Sequence, residues 1–181
     1  MSIYVALLRG INVGGKNIIK MIDLKGCFEG LSLENVATYI QSGNVIFSTG
    51  EAEQPSLEDR LEKALSSAFH YESTVVVRSY EEMKNTVNQA PPGFGSEPDT
   101  YRYDVIFLKQ PLTSSEAMRS ITTREGVDQA FGAEGVLYFS RLISRASQSR
   151  LTRIISLPIY QNLTIRNWNT TTKLASLMQA A

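Results

Sequence analysis

The segment GINVGGKN, Gly10 to Asn17, follows the apolar run YVALLR and spaces Gly10, Gly15 and Lys16 as a phosphate-binding P-loop does in every position but the last. A P-loop closes on Ser or Thr, whose hydroxyl holds magnesium; Asn17 stands there. The P-loop lysine also opens a helix whose dipole faces the phosphates. The residues after Lys16, NIIKM, are β-branched and start no helix before about Met21. P-loop enzymes use parallel sheets, whereas YIQSGNVIF reads as an antiparallel hairpin. Nucleotide hydrolysis through this loop is therefore not expected.

The second informative stretch is IRNWN, residues 165–169. A strand here delivers Arg166, Asn167, Trp168 and Asn169 to the start of the last helix. Asn169 or Thr170 is a natural N-cap, and first-turn N–H groups attract anions. Trp168 could stack on a base or anchor the final helix, and Arg166 could grip phosphate bidentately or pair with a structural carboxylate. Cys27 falls on a helical apolar stripe and reads as core rather than nucleophile. His70 is the single histidine; with no Cys or His partner it makes no metal site, and a triad would need it close to Ser42.

The elements that must position these residues follow from periodicity. IYVALLR reads as a buried strand, MIDLKGCFEGL as a helix weakened by Gly26 and Gly30, and NVATYI and VIFST as strands split by QSGN. PSLEDRLEKALSSAFHY is the clearest helix, with Ser56 and Asp59 as its capping box and Leu57, Leu61 and Leu65 on one stripe. STVVVRS is a fourth strand. Residues 80–90 look like a connecting helix and 91–99, PPGFGSEPD, like a loop. A second β-α-β-β-α-β series then runs from YRYDVIFL through helical turns ending near 157 to LTIR and a closing helix over 170–179. The fold class is α+β: two ferredoxin-like plaits with antiparallel sheets, in residues 1–79 and 101–181, joined by 80–100.

In such a plait the first strand's exit loop and the second–third hairpin share one end of the sheet. Arg9, Asn12, Gly14, Gly15, Lys16 and Asn17 then meet Gln41, Ser42, Gly43 and Asn44. Two readings stay open: an anion-binding nest of backbone N–H groups with Lys and Arg charge, or glycines that only turn the chain with φ > 0.

RGINVGGKN, TYIQSGNVIF (38–47), SRLT (149–152) and TIRNWNTTTKL (164–174) together resemble a bacterial family catalogued as domain of unknown function 1697. The resemblance implies the double plait and marks these polar positions as a signature, without assigning them roles.

Net charge is zero, yet no acid falls in residues 1–22 or 135–181, which carry three and six basic residues. This segregation permits an anion-attracting face, or pairing of the ends with the acidic middle. No apolar run is long enough to cross a bilayer, and the N-terminus lacks a basic region and a cleavage motif, so a cytoplasmic protein is expected. The expected function is binding of a phosphate-bearing ligand, nucleotide or nucleic acid, with no cofactor and no metal. Zero net charge and the lack of clustered exposed aromatics on a strand disfavour nucleic acid. The alternatives are an enzyme using Lys16, Arg9 and Arg166, or a scaffold with no small ligand.

Overall fold

The computed structural model describes residues 1–181. The first series forms β1 (Ser2–Arg9), α1 (Met21–Glu29), β2 (Glu34–Tyr39), β3 (Asn44–Thr49), α2 (Gln54–Phe69) and β4 (Thr74–Ser79). Its antiparallel sheet has the order β2-β3-β1-β4, the plait order expected from the sequence. Alternate residues of the β-branched strands enter the core: Tyr4, Ala6 and Leu8 with Val45, Phe47, Val75 and Val77. Leu24 and Phe28 of α1 and Leu57, Leu61 and Leu65 of α2 complete it. The Phe47 ring lies 5.9 Å from Tyr4 and 5.7 Å from Phe28.

Two helix ends differ from expectation. α2 begins at Gln54, ahead of the anticipated Ser56–Asp59 box, and its N-cap Glu53 makes no side-chain capping bond. Pro55 explains the shift: its fixed φ and missing N–H suit the first turn. α1 ends at Glu29, where Gly30 donates to Gly26 O, so Leu31 lies beyond it.

β4 is an edge strand, and its outward N–H groups have lost water without gaining a strand partner. Two carboxylates of α2 supply the acceptors. Val77 N donates to Glu58 Oε1 at 2.9 Å, and Val75 N to Glu62 Oε1 at 2.8 Å. Residues four apart on a helix and two apart on a strand advance by similar distances, about 6 Å, so the pair matches. Glu82 extends the series by accepting from Ser79 N at 2.7 Å.

The second series forms β5 (Tyr101–Leu108), α4 (Ser114–Ser120), β6 (Asp128–Ala133), β7 (Val136–Leu142), β8 (Leu163–Asn167) and α5 (Trp168–Gln179), after α3 (Tyr80–Asn88). The sheet order β6-β7-β5-β8 repeats the plait. α4 carries a true capping box: Thr113 Oγ1 accepts from Glu116 N at 3.2 Å and Glu116 Oε2 from Thr113 N at 2.9 Å. Where α2 stands in the first series, residues 143–162 instead form three short 3-10 segments.

The compact units are residues 1–84 with 174–181, and residues 85–173. The division falls inside α3 and α5. The PPGFGSEPD segment is a packed part of the second unit. Phe94 meets Tyr103, Tyr138 and Trp168 edge-on at 4.9, 5.4 and 5.1 Å.

Glu58→Ala leaves the Val77 N–H buried without an acceptor and should cost about 1–3 kcal/mol, while Glu58→Gln, which keeps an acceptor oxygen, should cost less. Urea midpoints of the two variants check this; equal losses would show that the charge of Glu58, which both variants lack, and not its acceptor oxygen, is what matters.

Candidate functional site

The glycine loop is a miniature hairpin. Lys16 N donates to Val13 O at 3.0 Å, and Gly14 and Gly15 take φ of 58° and 74° between them. Two left-handed central residues make a type I′ turn, which demands glycine or asparagine. Asn12 N donates to Asn17 O at 3.1 Å and closes the next rung. The paired glycines are thus accounted for by turn geometry.

Asn12, itself left-handed at φ 53°, ties this hairpin to two neighbours. Its Oδ1 accepts from Ile19 N at 2.8 Å, and its Nδ2 donates to Ile19 O at 3.1 Å and to Gln41 O at 2.8 Å. Asn17 Nδ2 donates to Gly10 O at 2.9 Å. In the QSGN hairpin, Asn44 Nδ2 donates to Tyr39 O at 3.0 Å and to Ser42 Oγ at 2.9 Å. Leu8 N donates to Gly43 O, and a Cβ on Gly43 would fall 2.8 Å from Leu8 Cβ. The two loops are therefore neighbours, as the plait requires, but the amides of Asn12, Asn17 and Asn44 are spent on backbone. Lys16 is exposed, between Val13 and Ile18, which are 64% and 75% exposed.

The register Arg9↔Thr74 brings the α2–β4 turn to this same end. His70 occupies its left-handed position, φ 54°, exposed and donating its N–H to Ser66 O. Cys27 is half-buried against the core, and burial pushes its thiol pKa up, away from a reactive thiolate. No three His, Cys, Asp or Glu side chains gather as a metal site.

In the second unit the structure redistributes the IRNWN residues. Arg166 is buried, with Nη1 donating to Thr164 Oγ1 and to Ile165 O, both at 2.9 Å. Burial pushes its pKa down to about 10. It does not face solvent. The N-cap of α5 is Asn167, not Asn169 or Thr170: its Oδ1 accepts from Thr170 N at 2.8 Å. α5 therefore starts at Trp168, two residues early, and its first turn already holds an internal acceptor. Trp168 anchors the 91–99 segment; a Cβ on Gly95 would fall 2.3 Å from its indole nitrogen.

Asn167, Trp168 and Asn169 nevertheless share a cleft of about 290 Å³ with residues the sequence reading passed over: Tyr101, Arg102, Asp104 and Arg141. Arg102 and Arg141 stand directly opposite each other across β5 and β7, and Asp104 stands opposite Asn167 on β8. Arg141 Nη2 approaches Asp104 Oδ2 at 3.9 Å, too long for a hydrogen bond. Asp104 Oδ2 and Arg141 Nε are both buried without a hydrogen-bond partner. Burial raises the Asp104 pKa, outweighing the opposite pull of Arg141 and Arg102. The available sequence signal was the alternation in YRYD, which puts Arg102 and Asp104 on one face.

A family model described as protein of unknown function (DUF1697) matches residues 1–138. That span contains RGINVGGKN and TYIQSGNVIF and ends within β7, ahead of SRLT and TIRNWNTTTKL. The fold is similar to that of a solved structure, the conserved bacterial protein SP0830 from Streptococcus pneumoniae. The two share 25% identity and a TM-score of 0.81, with 98% of each chain covered. A search of curated proteins finds no match.

Substitutions should separate framework from surface in both units. Asn12→Ala should cost about 1–3 kcal/mol through orphaned backbone groups, and Arg166→Ala about 2 kcal/mol or more through lost packing and bonding. Lys16→Ala should stay within about 0.5 kcal/mol of wild type. Urea denaturation of the three variants measures this; an intact Asn12→Ala protein would show that the loop holds without its asparagine.

Proposed function

The chain belongs to the DUF1697 family, whose function is unknown, and we propose that this member binds a small phosphate-bearing ligand in the Arg102–Arg141 cleft. The observation that carries the reading is the opposed arginine pair. Like charges directly across an antiparallel pair destabilise it. Asp104, beyond hydrogen-bond reach of Arg141, and Asp128, opposite Arg141 on β6 with one oxygen committed to backbone N–H groups, offset that repulsion only in part. A phosphate between the two guanidiniums would accept hydrogen bonds from both and neutralise the repulsion, using the planar donor fork that suits phosphate oxygens.

The cleft volume of about 290 Å³ is at the small end for ligand pockets and suits a sugar phosphate or mononucleotide. Trp168 and Tyr101 supply apolar ring surface for a base or sugar, and Asn169 a polar group at the rim. This reading keeps Asn167, Trp168 and Asn169 as ligand contacts and gives the charge role to Arg102 and Arg141 in place of Arg166.

Asp104 competes with the ligand for Arg141. Its folded-state pKa is raised, so the neutral form favours folding fully below the unfolded pKa, and that contribution is lost as pH rises through the folded pKa. Neutralising Asp104 removes the competitor for Arg141.

A thermal-shift panel of mononucleotides, sugar phosphates and pyrophosphate against unphosphorylated nucleosides tests the reading, because a ligand of the folded state raises the melting temperature with concentration. For the best phosphate, calorimetry should show Arg141→Gln weakening binding about tenfold or more, and Asp104→Asn tightening it. A nucleic acid ligand would instead show a steep salt dependence. Equal binding of a nucleoside and its phosphate, or no response to any phosphate, would overturn the proposal.

A further inference from the structure

The second unit holds a separate cavity of about 470 Å³ that shares no lining residue with the arginine cleft. It exists because the second crossover of this plait is not an α-helix. In the first unit, α2 fills the equivalent position and drives Leu57, Leu61 and Leu65 fully into the core. In the second, the 3-10 segment Leu151–Ser156 buries only Leu151 and Ile154, beside the seven-residue α4. The space between is floored by Phe139, Leu151, Ile154 and Leu157, with Ile121 at the end of α4.

Two arginines line this apolar space, Arg150 and Arg153, and no carboxylate does. Arg150 is fixed through its backbone, whose N–H donates to Asp128 Oδ2 at 2.9 Å; the same oxygen accepts from Arg124 N at 2.9 Å. Its side-chain Nε is buried and has no hydrogen-bond partner. A buried donor left unmade carries a desolvation cost that a bound acceptor would remove. Asp128, the carboxylate held against Arg150, meets it through the backbone N–H and not through Nε, and residues 135–181 themselves carry no acidic side chain.

We propose that this cavity binds an amphipathic carboxylate, with its alkyl or aryl body on Phe139, Leu151, Ile154 and Leu157 and its carboxylate on Arg150 and Arg153. The apolar floor selects the body, since burial of apolar surface supplies the attraction. The guanidinium pair selects the charge, because a carboxylate accepts from Arg bidentately. The site is independent of the phosphate cleft, and neither proposal needs the other.

Calorimetry and amide-shift mapping with decanoate, decanol and acetate test it. Decanoate should bind saturably, one per chain, below the concentration at which it self-associates. Decanol should bind about tenfold more weakly or worse, and acetate should leave the spectrum unchanged. The double variant R150Q/R153Q should reduce decanoate to the affinity of decanol. Ile121→Trp, which fills the cavity from its open side, should abolish binding of both and covers the case in which the arginine variant fails to fold. Equal affinity for decanoate and decanol, unchanged decanoate binding by either variant, or shifts confined outside residues 120–122 and 150–157 would each overturn the proposal.

Discussion

The backbone of an outer strand needs acceptors for the N–H groups that no neighbouring strand takes, and the first unit meets this demand with carboxylates. In the first unit Glu58 and Glu62 do it from α2. That bonding holds α2 against β4 at one register, which is also the register that sends Leu57, Leu61 and Leu65 into the core. It fixes where the α2–β4 turn falls and so, through the Arg9↔Thr74 pairing, which loops collect at one end of the sheet. After Glu134 the sequence has no acidic side chain. The equivalent crossover of the second unit cannot copy the device, and it runs as 3-10 segments that leave an open cavity beside α4.

The same contrast separates the polar signatures. Asparagine in the first unit acts as an adaptor between irregular backbone segments, because its amide offers a donor and an acceptor at fixed spacing and it tolerates left-handed φ. Asn12 uses both functions at once on Ile19 and the donor again on Gln41. A motif rich in Gly, Asn and Lys can therefore be demanded by loop architecture alone. The second unit's polar residues behave differently at Arg102, Asp104 and Arg141, where charge is placed side by side and left short of partners. Loop architecture gives no reason for that arrangement.

Much of the fold was legible because period-2 and period-3.6 patterns are local: both plait orders, and the meeting of RGINVGGKN with QSGN, follow from the sequence of elements. What was not legible depended on information outside the window. Ser56 resembled a cap, but Pro55 one residue earlier already satisfied the first turn. Asn167 outcompeted Asn169 as the cap because β8 runs on to Asn167 without a break. Arg166 sits in a strand buried on alternate faces, and alternation alone does not say which face accommodates a guanidinium. The Arg102–Arg141 pair depends on the register of two strands more than thirty residues apart, which no local pattern encodes.

Under the proposed phosphate reading, that pair also bears on how a chain of zero net charge would attract an anion. Net charge sets the far field, which salt screens over about 8–10 Å, whereas binding is decided by the few charges that share a partly dry cleft. Asp104 shows the cleft's character: with two arginines nearby, its pKa still rises, so desolvation exceeds attraction there. An environment dry enough to disfavour a paired carboxylate also strengthens any well-placed contact between guanidinium and phosphate. The residues at this point oppose folding slightly and would favour a ligand, the pattern expected where stability is given up for recognition.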